Sequence, residues 1–131
     1  MNKLLLIVGA GMLLSLAYAS EKNGWTWEYK PLRATYSIYS GELGEREAPT
    51  KIDRKLAIRV TGQAAKEIFD SMYPDASETC GDEKGERMRS KQNLWCSYHP
   101  RSGYRCYLGF ALRTGASIPG GHCRLWQAGI F

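Results

Sequence analysis

Four cysteines, Cys80, Cys96, Cys106 and Cys123, stand behind an N-terminal export leader, and that combination constrains the fold more than anything else in the chain. Lys3 precedes an apolar run from Leu4 to Leu16, and Ala17-Tyr18-Ala19 supplies the small-x-small pattern at which a signal peptidase cuts. The run is shorter than the roughly 20 apolar residues that a membrane-spanning helix needs, and no later stretch qualifies. Residues 1–19 are read as a signal peptide and 20–131 as one domain, periplasmic or extracellular, beginning at Ser20. In an oxidising compartment an even number of thiols reads as two disulfides. No pair of cysteines has the short knuckle spacing of a zinc site, so neither a metal nor another cofactor is expected.

Hydrophobic periodicity gives the elements. Trp25, Trp27 and Tyr29 alternate with polar residues in the period-two pattern of a strand, ended by Pro31, and Thr35–Ser40 reads as a second strand. Residues 41–53 read as a long exposed loop. In 55–61, Leu56, Ile58 and Val60 alternate with Lys55, Arg59 and Thr61, the mark of a half-buried strand. The period then lengthens to about 3.6: Ala64, Ala65, Ile68, Phe69 and Met72 fall on one side of a helix from Gln63 to Met72. Thr61 is its candidate N-cap, and Pro74 restricts Tyr73 and ends it. A helix this short needs a sheet to lie on.

Residues 76–85 are loop-like, and the last third reads as antiparallel sheet. Leu94, Cys96 and Tyr98 share one face, Pro100–Gly103 is a turn, and Cys106, Leu108, Phe110 and Leu112 share the face of the next strand. A following two-residue turn at Thr114-Gly115 would set Arg113 against Ala116 and Cys106 against Cys123. The expected pairing is therefore Cys106 with Cys123 and Cys80 with Cys96, although Cys96 and Cys106 would also share a face. The expected fold is α+β: a small antiparallel sheet of about five strands, one amphipathic helix on one face and two disulfides in the C-terminal half.

Charge is unevenly distributed. Residues 20–83 hold nine Lys or Arg against twelve Asp or Glu, whereas residues 84–131 hold eight against Glu86 alone. Such an asymmetry attracts anions to one region if the fold gathers the cations on one face; otherwise the two halves of the chain attract each other. The candidate binding residues are Arg87, Arg89, Lys91, Trp95, Arg101, Tyr104 and Arg105, cations interleaved with aromatics that suit phosphate or carboxylate groups. The expected partner is an anionic macromolecule, contacted by a monomeric, non-enzymatic domain. Two other readings stay open. Pro100-Arg101-Ser102-Gly103 would present Arg101 on a rigid loop, as inhibitors of secreted proteases do. His99 and His122 could act as base and acid in a small ribonuclease. Trp25, Trp27 and Tyr29 could alternatively form a sugar platform, although aromatic stripes at strand spacing more often face a core.

The layout of strands, one helix and four cysteines resembles the subtilisin-inhibitor family, without a shared motif. Val60-Thr61-Gly62-Gln63-Ala64-Ala65-Lys66, Tyr104-Arg105-Cys106-Tyr107 and Arg113-Thr114-Gly115 are similar to small uncharacterised exported proteins of Gram-negative bacteria. That similarity implies export and fold, and no activity.

Overall fold

The computed structural model describes residues 26–123; residues 1–25, including the segment read as a signal peptide and Trp25, and the last eight residues lie outside this range. Within it the chain forms strands β1 (Arg33–Glu42), β2 (Glu45–Glu47) and β3 (Lys55–Thr61), helix α1 (Gly62–Ser71), then β4 (Arg87–Lys91), β5 (Leu94–His99), β6 (Gly103–Ala111) and β7 (Ser117–Ile118). The sheet is antiparallel in the order β2-β1-β3-β6-β5-β4, with β7 paired to β6 beyond the end of β5. No helix among the described residues is long and apolar enough to cross a membrane.

Alternation and pairing register together sort the side chains onto two faces. Val60 and Cys106 lie opposite one another, as do Cys106 and Cys96, and all three point toward α1. The helix buries Ala65, Phe69 and Met72 against them, and the Phe69 ring meets Tyr104 edge-on at 5.2 Å. Thr61 does occupy the N-cap position, in extended geometry, but its side chain makes no capping bond. The opposite face is covered only in part. There Trp95 stacks on Tyr107 with ring centroids 4.4 Å apart and donates its indole N–H to the Gly121 carbonyl at 2.6 Å. The covering segment lies so close that a Cβ on Gly120 would fall onto the Leu108 backbone, while one on Gly109 would come within 2.7 Å of the Ile118 carbonyl oxygen. Glycine is required at both positions by close approach.

The sheet has seven strands rather than about five. Residues 26–32 form no strand, and Trp27 and Tyr29 are exposed, because nothing pairs with them among the described residues. Of the segment read as a loop over 41–53, residues 41–47 form a hairpin turning at Leu43-Gly44, whereas 48–53 carry no strand or helix. The three residues of β2 and two of β7 are too short to show a period, and β4 (Arg-Met-Arg-Ser-Lys) carries a strand in almost wholly polar dress.

The disulfide pairing differs from the expected one: Cys96 is bonded to Cys106 and Cys80 to Cys123. The reason is register. The last hairpin turns through Leu112–Gly115, with the Ala111 N–H donated to the Ala116 carbonyl, and pairs Phe110 with Ser117. That is a two-residue shift from a turn centred on Thr114-Gly115, and it takes Cys123 away from Cys106. Beyond Ile118, Pro119 ends the strand, and Cys123 meets Cys80 instead. Cys96 and Cys106 directly face one another with Cα atoms 4.1 Å apart, within the close spacing of a non-hydrogen-bonded antiparallel pair.

Candidate anion-binding face

The arginines singled out in the C-terminal half do not act together. Arg87 and Arg89 point to the helix side. Both hold Asp75, Arg87 through Nε at 2.8 Å and Arg89 through Nε at 2.7 Å. Their guanidinium groups also lie 5.1 and 4.4 Å from the centre of the Phe69 ring. Arg89 Nη1 further donates to the Phe69 carbonyl at 2.8 Å and the Asp70 carbonyl at 3.3 Å, closing the C-terminus of α1. These hydrogen bonds, from Arg87 first and then Arg89, hold the Asp75 carboxyl at a pKa of about 2. Trp95 is buried in the Tyr107 stack, Tyr104 packs on Phe69, and Lys91 stays exposed at the end of β4. Arg101 sits 82% exposed at the β5–β6 turn, with Nε 3.3 Å from Glu83. Basic residues of the second half thus pair with Asp75 and Glu83 of the acidic half, and the two halves attract each other.

The two histidines are not brought together. His99 ends β5, where Nε2 lies 2.6 Å from Glu83 and 3.4 Å from Glu86. His122 lies at the other end of the sheet, near Gly44 of the β1–β2 turn. Ligand atoms of Glu83, Glu86 and His99 lie within 4.8 Å of one another, the size of a cation site. The Arg101 backbone N–H, however, donates to His99 Nδ1 at 3.2 Å. That leaves the ring proton on Nε2, the nitrogen a metal would need bare, so the trio forms a hydrogen-bonded clamp on the turn.

The face opposite α1 has a different character. Across strand segments 33–39, 55–61, 94–99 and 103–111 the chain contains no Asp or Glu. The register brings Arg33 opposite Thr61, Thr61 opposite Arg105, and Arg59 between Thr35 and Tyr107. Arg59 is therefore the diagonal neighbour of both Arg33 and Arg105 on one face, at the roughly 7–8 Å spacing of such positions. Burial pushes the Tyr107 phenol pKa up, while the positive charges of Arg105 and Arg59 draw it back. Arg46 on β2 lies over the Tyr39 ring at 5.8 Å, on the same side. Between them is a cavity of about 160 Å³, lined by Thr35, Ser37, Arg46, Arg59, Tyr107 and Gly120 among others. It is smaller than the roughly 300–1,000 Å³ of sites for drug-sized molecules, and suits a single charged group. No carboxylate lines it among the described residues.

Of the residues proposed from sequence, Arg105 and Trp95 belong to this face by register, and Arg105 is the one cation among them. Arg33, Arg46 and Arg59 were missed: Arg59 reads as the polar side of its strand, Arg33 precedes the strand read from Thr35, and Arg46 falls in the segment read as a loop; strand alternation combined with the absence of acidic residues was the signal that could have found two of them. Comparison with protein-family models, curated proteins and solved structures finds no match.

Proposed function

We infer that the protein is an exported binding domain that takes an anionic group of a larger molecule into the cavity bordered by Arg46 and Arg59, with Arg33 and Arg105 extending the positive field around it. The observation that supports this reading most is the grouping of four arginines on one sheet face, around a cavity that no carboxylate lines among the described residues. Guanidinium forks match phosphate and carboxylate oxygens in a bidentate manner, and the Thr35 and Ser37 hydroxyls can donate to the remaining ones. A cavity walled by protein raises the value of each such contact over that on open surface. Its size favours a headgroup, with the rest of a polymer lying along the face.

Isothermal titration with inorganic polyphosphate tests this. Binding should weaken steeply with added salt. Arg46→Gln, Arg59→Gln and Arg105→Gln should each lower affinity about tenfold, or about 1.4 kcal/mol, in proteins that keep their circular dichroism. Lys91→Gln and Arg101→Gln should change it less than twofold. Absence of binding at low salt, or equal losses in both groups, would refute the reading.

Protease inhibition is the second reading, favoured by the exposure of Arg101 on a turn just beyond the Cys96–Cys106 bridge. Its test is titration of a trypsin-like protease with wild type and Arg101→Ala. Complete loss of inhibition in the variant would support it, and no inhibition by wild type would remove it.

A further inference from the structure

Among the described residues, the outer edge of β1 is open along 33–39. Its backbone parity is fixed by two bonds. The Gly41 N–H donates to Asp53, which precedes β3, at 2.8 Å, and the Leu112 N–H donates to the Arg54 carbonyl at 2.8 Å across the β3–β6 pairing. Odd-numbered residues of β1 accordingly turn their amides toward β3. Ala34, Tyr36 and Ile38 turn theirs outward. β2 covers this edge at Ser40–Glu42 only, and no strand pairs with residues 33–39 on that side among the described residues.

Natural edges are usually blunted by lysine, proline or a bulge. Between Ala34 and Ile38 there is none of these, and the register to β3 runs without interruption from Arg33 to Tyr39. The flanking surface is apolar as well. Tyr36 is 74% and Ile38 39% exposed on the α1 face of the sheet, at its edge, in rows with Ile58 and Leu56.

We propose that two copies of the chain pair through this edge, antiparallel, about a two-fold axis at Tyr36. The sequence is self-complementary in that register. Tyr36 faces Tyr36 of the second copy and Ala34 faces its Ile38 on the apolar side, while Thr35 faces its Ser37 on the other. No charge opposes a like charge within the paired span. Outward amides at positions 34, 36 and 38 form the hydrogen-bonded pairs that this register requires. Isologous closure uses up both edges and stops at a dimer. The inference rests on the strand edge and is independent of the anion reading.

Sedimentation equilibrium of the purified protein over a wide concentration range tests it, together with residue-resolved amide exchange. The expected result is a monomer–dimer equilibrium, with protection at Ala34, Tyr36 and Ile38 rising with protein concentration. Tyr36→Lys sets two cations together at the axis, and Ala34→Pro removes an outward donor that the fold itself does not use. Each should weaken the dimer at least tenfold while leaving the thermal midpoint of the monomer within a few degrees. A monomer at every concentration would overturn the proposal, as would a dimer unmoved by both variants. Concentration-independent protection of the three amides in a monomer would also overturn it, by showing that the chain covers the edge itself.

Discussion

Removing Arg89 tests whether the C-terminal arginines are structural. Its side chain is 11% exposed and makes three kinds of contact: the ion pair with Asp75, the donation to carbonyls at the end of α1, and the approach to the Phe69 ring. The ion pair has a partner 39% exposed and is worth about 1 kcal/mol at most. A charged donor to a part-buried carbonyl contributes about 1.5 kcal/mol, and the cation over the ring about 1 kcal/mol. Because these contacts share one guanidinium they do not add fully, so Arg89→Ala should cost about 3 kcal/mol. Urea denaturation with the disulfides intact measures this. Arg89→Lys should recover less than half of the loss, since an ammonium cannot span the carboxylate and the helix end together. The exposed Arg101, replaced by alanine, should cost less than about 0.5 kcal/mol. A loss below about 1 kcal/mol for Arg89→Ala, or a loss of polyphosphate affinity in its folded fraction comparable to that of Arg59→Gln, would refute the reasoning.

Acidification should act through Asp75. Its pKa is lowered on folding, so its contribution is present above the ordinary carboxylate value near 4 and is lost as pH falls through about 2. After allowance for solvent screening the loss is about 1 kcal/mol, readable as a reduced urea midpoint that Asp75→Asn no longer shows. Gly120→Ala should destabilise the domain by more than about 2 kcal/mol, because the new methyl meets backbone rather than a side chain that can move; thermal melting checks this. Under native conditions a mild reductant should open Cys80–Cys123 before Cys96–Cys106. Both sulfurs of the latter belong to fully buried residues, whereas Cys80 and Cys123 are only half-buried; alkylation and mass mapping give the order.

The sequence made visible what depends on local period. Lys55–Thr61 and the helix after it declare themselves because apolar residues recur at two and then at about 3.6 positions, and both elements lie where that pattern puts them. Disulfide partners were not legible in the same way. Moving the final turn by two residues changes which residue faces Cys106, and neither Thr-Gly nor Pro119 pins that turn from sequence alone. The candidate site failed for a related reason. Counting charge by halves of the chain made Arg87 and Arg89 look available, but Asp75, distant in sequence, folds against them. Arg33, Arg59 and Arg105 come from three different strands and become neighbours only once the register is known.

The most direct test of the central claim, that the arginine face opposite the helix receives anions, is a two-dimensional amide NMR titration of the folded protein with short-chain polyphosphate. The largest shifts should fall on Thr35, Ser37, Arg59, Tyr107 and Gly120, with Arg87, Arg89 and Lys91 nearly unmoved. Shifts confined to β4 and the turn at Arg101, with residues 35, 37 and 59 silent, would contradict it.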